Sequence, residues 1–384
     1  MKIFHLSDLH LGKSVHEFSM IEDQKYILNE IQKAVVRENP SAVLISGDVF
    51  DRSVPSAEAL KLFDDFIDFL VALKIKVFVI AGNHDSGDRL SFGSRMFTKS
   101  GVYIEGIYDG ETLPYILKEM DLEVKVYMIP FIRPINVRRF FENEETVLPS
   151  LSYNDALQLV INSMDIDKER INILLTHQFV TGAVTSDSEE FSVGSLDNVD
   201  SSIFEPFDYV ALGHLHRPQS IRRSTIRYSG SPLKYSFSEA SNTKTITVVD
   251  IKGKDDITIK ELPLKPLRDM CEIKGKYLDI TSRNFYRTLD TENYYKIVLT
   301  DEESQPDVLA KLRIIYPNIM YLEYDNTRTR TNSNVMELDS NEKEYLPIEI
   351  FDLFYKEQNG RNLSDIQKDY LQDVMEQVFS EVKE

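Results

Sequence analysis

Five short stretches of this 384-residue sequence gather carboxylate, imidazole and amide side chains behind small or turn-forming residues. They are "SDLHLG" with Asp8 and His10, "SGDVFD" with Asp48, "AGNHDS" with Asn83, His84 and Asp85, "LLTHQF" with His177, and "LGHLH" with His214 and His216. A lone histidine in such a place is more often a hydrogen-bonded structural residue than a ligand. Here five of the seven histidines share the position, and only His5 and His16 fall outside it and keep the structural reading. Together these nitrogen and oxygen donors have the composition of a divalent transition-metal site. Mixed N/O ligands suit Mn²⁺, Fe²⁺ or Zn²⁺ in a catalytic centre with open positions. The single cysteine, Cys271, leaves no internal disulfide and no thiolate-rich structural zinc site, and reads as a packed core residue.

Each stretch follows an apolar run that must deliver it. Strands are expected at 2–7, 42–46, 76–81, 124–130, 171–176 and 208–212, with helices between them. One helix carries Tyr26, Ile27, Ile31, Ala34 and Val35; the next carries Leu60, Phe63, Phe66, Ile67 and Leu70 at three-and-four spacing. This is an α/β layered domain. Ligands of open α/β sheets bind outside the carboxyl ends of strands, where all five stretches would lie. Asp8 and His10 stand at i and i+2, which places them on one face if the segment is extended. Beyond residue 220, "TIRYSG", "TKTITVVDIKG" and "DDITIKEL" suit a hairpin closing a second sheet. "LPLKPLRD" at 262–269 reads as a linker, 270–326 as a small mixed module, "TRTRTNSN" at 327–334 as a polar connector, and the rest as a helical tail.

At 42% hydrophobic and 10% aromatic, the chain has the composition of a globular protein rather than a disordered one. Its length suggests about two or three domains. With no signal-peptide pattern and no apolar run of about 18 residues, a cytoplasmic location without a membrane span is expected. The net charge of -19 repels a polyanion on average. Its distribution is uneven, however. "RPQSIRRSTIRYSGSPLK" carries Arg217, Arg222, Arg223, Arg227 and Lys234 with no acidic residue, and "RPINVRR" adds Arg133 and two further arginines. From Met336 onward, thirteen acidic residues face five basic ones.

In order, "DLH", "GDVFD", "GNHD", His177 and "GHLH" resemble the five sequence blocks of the calcineurin-like metallophosphoesterases. The longer strings "FHLSDLHLG", "GDVFDRSVPS", "THQFVTG" and "VALGHLHRPQ" are similar to the SbcD family of bacterial DNA-repair nucleases, which work with a coiled-coil ATPase, SbcC. The resemblance implies two packed mixed β-sheets flanked by helices, with a small α+β capping domain and a C-terminal helical tail. Its implied boundaries are 1–265 for the nuclease domain, 266–326 for the capping domain, 327–343 for a linker and 344–384 for a partner-binding tail. Matching block by block, it implies one metal on Asp8, His10, Asp48 and His216. Asp48 would bridge to a second metal on Asn83, His177 and His214, with Mn²⁺ the expected ion.

His84 is then implied to contact the phosphate, stabilising the transition state or protonating the leaving oxygen. Asp51 and Asp85 would fix the direction of a neighbouring imidazole. The implied activity is a metal-dependent DNA nuclease, both double-strand exonuclease and hairpin or single-strand endonuclease, in DNA end processing, repair and recombination. Its partners would be DNA, held by Arg89, Arg95, Arg133, Arg217, Arg222, Arg223, Arg227 and Lys234, and an SbcC-like ATPase bound by the tail. A homodimer within a nucleoid-associated heterotetramer is also implied. The alternatives are a metallophosphoesterase acting on a small phosphodiester or cyclic nucleotide, and a scaffold without catalysis. The filled ligand positions disfavour the scaffold, and the roughly 120 residues beyond the catalytic domain disfavour the small substrate. The chain carries no "GxxxxGK[ST]" loop, so ATP dependence would come from the partner.

Overall fold

The computed structural model describes residues 1–142, 151–189, 198–303 and 306–327, with scattered positions from 329 to 371. It divides into two compact units, Met1–Met270 and Cys271–Glu384. Strands of the first unit are β1 (Lys2–Leu6), β2 (Ser14–Val15), β3 (Phe18–Ser19), β4 (Ala42–Ser46), β5 (Lys76–Ile80), β6 (Val102–Glu105), β7 (Tyr115–Glu119) and β8 (Leu122–Ile129). They continue with β9 (Ile171–His177), β10 (Tyr209–Gly213), β11 (Gln219–Ile221), β12 (Arg223–Tyr228), β13 (Thr245–Gly253) and β14 (Asp256–Pro263). The main helices are α1 (Ile21–Glu38), α2 (Ala57–Ala72), α3 (Gly87–Leu90), α4 (Ser94–Phe97), α5 (Pro134–Phe141) and α6 (Tyr153–Asn162).

Two six-stranded sheets face one another, in the orders β14-β13-β1-β4-β5-β6 and β11-β12-β10-β9-β8-β7. Strands β1, β4, β5 and β6 run parallel, as do β8, β9, β10 and β12. All five predicted stretches therefore emerge from carboxyl ends: three from the first sheet after β1, β4 and β5, two from the second after β9 and β10. The layer between the sheets is an apolar core of Ile3, Ala42, Leu44, Phe78 and Ile80 against Val126, Met128, Ile173, Leu175 and Ala211. Each large side chain sealed there stabilises the sandwich by about 1.5–3 kcal/mol. Alternate residues Phe4, Val43, Ile45, Val77 and Val79 are buried too, so these strands are apolar on both faces, as a covered parallel sheet requires. Helix starts follow their sequence signals: Ser56 caps α2 by accepting from the Ala59 N–H at 3.2 Å, and Ser152 and Asp155 form a reciprocal capping box on α6.

One expectation is corrected. "TKTITVVDIKG" and "DDITIKEL" do form a hairpin, β13–β14, but it joins the first sheet, where β13 runs antiparallel to β1. Strand β13 is buried on both faces over Thr245–Val249, and it buries that surface beside β1. Only "TIRYSG" closes the second sheet, as β12 beside β10.

The second unit contains β15 (Met270–Gly275), α7 (Tyr277–Ile280), α8 (Arg283–Tyr286), β16 (Tyr294–Leu299), α9 (Val308–Arg313) and β17 (Ile319–Tyr324). Strands β16 and β17 are parallel, joined through α9, around a core of Ile273, Tyr295, Ile297, Leu312 and Tyr316. Cys271 is half-buried against this core. Most of the connector and tail lie outside the described residues. Ser364 and Gln367 are described and form the expected capping box, with Ser364 N–H donating to Gln367 Oε1 at 3.0 Å and Gln367 N–H to Ser364 Oγ at 3.4 Å. No helix among the described residues is long and apolar enough to cross a membrane.

Candidate metal centre

The loops after β1 and β4 stay paired beyond their strands. The N–H groups of Asp8, His10 and Leu11 donate to the carbonyls of Gly47, Asp48 and Val49 at 3.1, 2.9 and 2.9 Å. Asp8, His10 and Asp48 carry φ of 52°, 44° and 49°, and His214 carries 106°. L-residues rarely occupy this region, and such strain gathers at functional sites. Asp8 and His10 thus meet through two left-handed residues rather than along an extended segment. Convergence is as the sequence suggests, but by a different backbone path.

Asp48 is the meeting point. Its Oδ2 lies 3.6 Å from His10 Nε2 and 3.3 Å from His177 Nε2, while Oδ1 accepts from the His84 N–H at 3.0 Å. On one side the Nε2 atoms of His10 and His216 are 3.0 Å apart, and Asp8, His10 and His216 present donor atoms within 4.8 Å of one another. On the other, Asn83 Oδ1 is 3.0 Å from His177 Nε2 and 3.1 Å from His214 Nδ1. Asp8 and Asp48 also group with His177, and His10 and Asp48 with His84, within the same 4.8 Å limit.

The hydrogen bonds fix which ring nitrogen faces inward. His177 Nδ1 donates to the Ser46 carbonyl at 2.8 Å, so its Nε2 lone pair points at the oxygens of Asp48 and Asn83. A lone pair facing two acceptors is repulsive unless positive charge lies between them. Without a cation a proton on Nε2 supplies that charge: burial opposes charge on His177, yet the Asp48 carboxylate overrides it and pushes the imidazole up to about 9. A bound cation would take the proton's place. The same contact holds Asp48 well below the usual carboxylate range, against burial. Burial lowers His10 to about 4 and His214 to about 3, and raises Asp8 to about 7. Asp8 Oδ1 accepts from the His214 N–H at 2.9 Å, but its Oδ2 is buried without a partner, which a folded protein rarely tolerates. An orphaned carboxylate oxygen, inward-facing neutral imidazoles and an amide oxygen fit a divalent cation.

His84 is half-buried at the edge of this cluster. Its Nδ1 donates to the Asp51 carbonyl at 3.0 Å, and its ring stands edge-on to His10 at 4.8 Å, which leaves Nε2 for another partner. Asp51 Oδ1 accepts from Lys13 at 2.7 Å and lies 3.5 Å from His10 Nδ1, beside the imidazole it is expected to steer. Asp85 behaves differently. Its carboxylate accepts from the N–H groups of Val49, Phe50 and Gly82 at 3.1, 2.9 and 2.9 Å, so it ties the β4 and β5 loops together and orients no imidazole. Gly82 and Gly213 permit this close approach: a methyl on either would run into Asp48 Oδ1 or the Ser46 carbonyl.

The calcineurin-like phosphoesterase family model matches residues 1–218. A second model, described as the type 5 capsule protein repressor C-terminal domain, matches 266–359. The chain is 35% identical over 380 residues to the SbcD subunit of the SbcCD nuclease of Staphylococcus epidermidis, covering 98% of each protein. The chain belongs to the SbcD family of calcineurin-like phosphoesterases. It is also 34% identical over 390 residues to the corresponding SbcCD nuclease subunit of Staphylococcus saprophyticus, covering 99% of each. A dimetal phosphatase from Danio rerio aligns over 70% of this chain and 98% of that one at 12% identity and a TM-score of 0.41. As an SbcD-family chain it is a phosphodiester hydrolase with a divalent metal site.

The residues expected to meet DNA do not form one surface. Arg95, Arg133 and Arg217 are exposed, Arg222 is exposed beside Glu205 at 3.3 Å, and Arg89 donates to the Ser53 carbonyl at 2.8 Å. Arg223 is half-buried and donates to the carbonyls of Phe204 and Phe207, Arg227 is buried against Glu261, and Lys234 holds Asp269 at 2.8 Å. These last three are engaged inside the first unit, which corrects their expected place on an open basic strip. Sequence reasoning misses other residues at the site. Gln24 Nε2 donates to the His10 carbonyl at 2.7 Å, and Gln24 Oε1 accepts from the Gly12 N–H at 2.9 Å. A signal for it exists, because Gln24 stands three, four and seven residues before Ile27, Leu28 and Ile31 on the buried stripe of α1. Tyr235 donates to the Leu9 carbonyl at 2.6 Å, and Glu239 and Lys244 are buried behind His216 with no sequence pattern to mark them.

Proposed function

We propose that this chain hydrolyses the phosphodiester backbone of DNA using two divalent cations, Mn²⁺ being the native pair. One cation is assigned to Asp8, His10, Asp48 and His216, the other to Asp48, Asn83, His177 and His214. The observation that carries this reading is the Asp48 carboxylate, which stands between two separate groups of inward-facing donors. Bound there, a cation pair supplies charge neutralisation of the phosphodiester and activation of water at neutral pH. The protein fixes the donors beforehand: Ser46 sets the His177 tautomer, Asp51 backs His10, and Asp85 locks the loops. His84, with Nδ1 held by the Asp51 carbonyl, offers Nε2 to stabilise the developing charge or to protonate the leaving oxygen.

DNA is assigned to the exposed Arg89, Arg95, Arg133, Arg217 and Arg222, since phosphate contacts from arginine supply most DNA affinity. The domain boundaries implied by the sequence, the coiled-coil ATPase as partner of the tail, and work on the nucleoid in the cytoplasm complete the proposal. The homodimer within a heterotetramer is supported by the exposed apolar ridge of Phe92, Met96 and Phe97, 84%, 74% and 45% accessible. Parallel assays on bis-p-nitrophenyl phosphate, a cyclic nucleotide and linear duplex DNA test the substrate class. Mn²⁺-dependent degradation of the duplex is expected; turnover of the cyclic nucleotide with the duplex left intact would refute it.

A further inference from the structure

Every polar group of His216 except the inward Nε2 is held by residues outside the ligand set. Glu189 Oε1 accepts from its backbone N–H at 2.7 Å, and Lys244 Nζ donates to its carbonyl at 2.7 Å. Its Nδ1 is 2.7 Å from Ser188 Oγ, whose hydroxyl donates onward to Glu239 Oε1 at 2.7 Å. Glu239 also pairs with Lys244 and accepts from the Tyr235 N–H at 3.2 Å, while Lys244 reaches Ser231 Oγ at 2.9 Å. Glu239 is fully buried and Lys244 is 4% exposed. A sealed ion pair gains little or nothing in stability over apolar side chains of the same size, because both charges are desolvated. Structural need alone is a weak reason for this one, whereas its contacts include the His216 carbonyl directly and the His216 ring through Ser188.

We infer that Ser188, Glu239 and Lys244 form a positioning device for His216, making Nδ1 the proton-bearing nitrogen and presenting Nε2 to the cation shared with Asp8 and His10. The chain of acceptors settles the direction. Glu239 takes the Ser188 proton, so Ser188 Oγ must accept from Nδ1–H, and Nε2 is left with the lone pair. The device serves one cation only, because His177, on the other side of Asp48, is oriented separately by the Ser46 carbonyl. Removing an outer hydrogen-bond partner of a ligating imidazole typically costs about 10–100-fold in metal affinity.

This inference rests on the assignment of His216 as a ligand, so the test includes that residue. Mn²⁺ titration of the full chain by calorimetry, after chelator treatment, would compare wild type with Ser188→Ala, Ser188→Thr, Glu239→Gln and His216→Ala. Ser188 is half-buried and its removal leaves the Glu239–Lys244 pair intact, so Ser188→Ala should fold with an unchanged metal-free melting temperature. The expected result is two Mn²⁺ in wild type, with one of the two bound about 10–100-fold more weakly in Ser188→Ala and Glu239→Gln and recovered in Ser188→Thr. Wild-type affinities in Ser188→Ala and Glu239→Gln, beside a missing Mn²⁺ in His216→Ala, would overturn the positioning role alone. Wild-type affinity in all variants would overturn the ligand assignment and the positioning role with it. Equal weakening of both Mn²⁺ ions together with a lowered melting temperature would mark the network as structural and also overturn the inference.

Discussion

Asp48 and His84 touch different things, and their removal should separate binding from chemistry. Asp48 faces donor groups on both sides, so Asp48→Ala should lose both cations. His84 reaches the cluster only at its edge, so His84→Ala should keep both cations and DNA affinity while turnover falls about 10²–10⁴-fold. Metal analysis beside duplex degradation checks the pair; an emptied cation position in His84→Ala would reverse the two roles. Asp85 gathers three backbone N–H groups, and Asp85→Ala should destabilise the first unit by about 3 kcal/mol, read from denaturant unfolding. At this scale the sequence identifies the donors because their types and their places after apolar runs are local properties. It does not reveal that Asp85 braces backbone rather than imidazole, nor that Glu239 stands behind His216, since the hydrogen bonds of Asp85 to Phe50 and of Glu239 to Ser188 join residues 35 and 51 positions apart.

Strand ends carry the donors, and the strands themselves follow from apolar runs. Leu44 lies in the layer between the sheets, and Leu44→Ala should cost about 2–5 kcal/mol in thermal or denaturant unfolding while leaving the donor set unchanged. Periodicity places β1, β4, β5, β8, β9 and β10 but not the partner of β13, because an apolar strand reads alike in either sheet. The same limit governs the basic stretch around β12. Local charge marks five cations, whereas pairing with Glu261, Asp269 and two backbone carbonyls depends on the folded surroundings. Arg217→Ala with Arg95→Ala should therefore weaken duplex binding and lower the salt slope by about 0.9 for each phosphate no longer neutralised. Arg227→Ala should leave that slope unchanged and lower stability instead. A slope altered by Arg227→Ala and untouched by the exposed pair would place DNA elsewhere.

For the whole molecule, every donor of the centre belongs to the unit ending at Met270. Truncation after Asn334 should accordingly leave a folded chain that binds metal and cleaves bis-p-nitrophenyl phosphate but no longer co-purifies with an SbcC-like ATPase. Co-purification at the wild-type ratio, or aggregation of the truncated chain, would return the tail to the body of the protein. The net charge of -19 makes duplex binding by the whole molecule depend on local arginines and on cations in the centre rather than on its average field. The two-cation nuclease is tested most directly by restoring activity to chelator-treated protein on end-labelled linear duplex DNA with increasing Mn²⁺. Degradation should be absent in chelator, should rise as a second equivalent of Mn²⁺ binds, and should stay absent in Asp48→Ala. Full activity in chelator, or saturation at a single bound Mn²⁺, would contradict it.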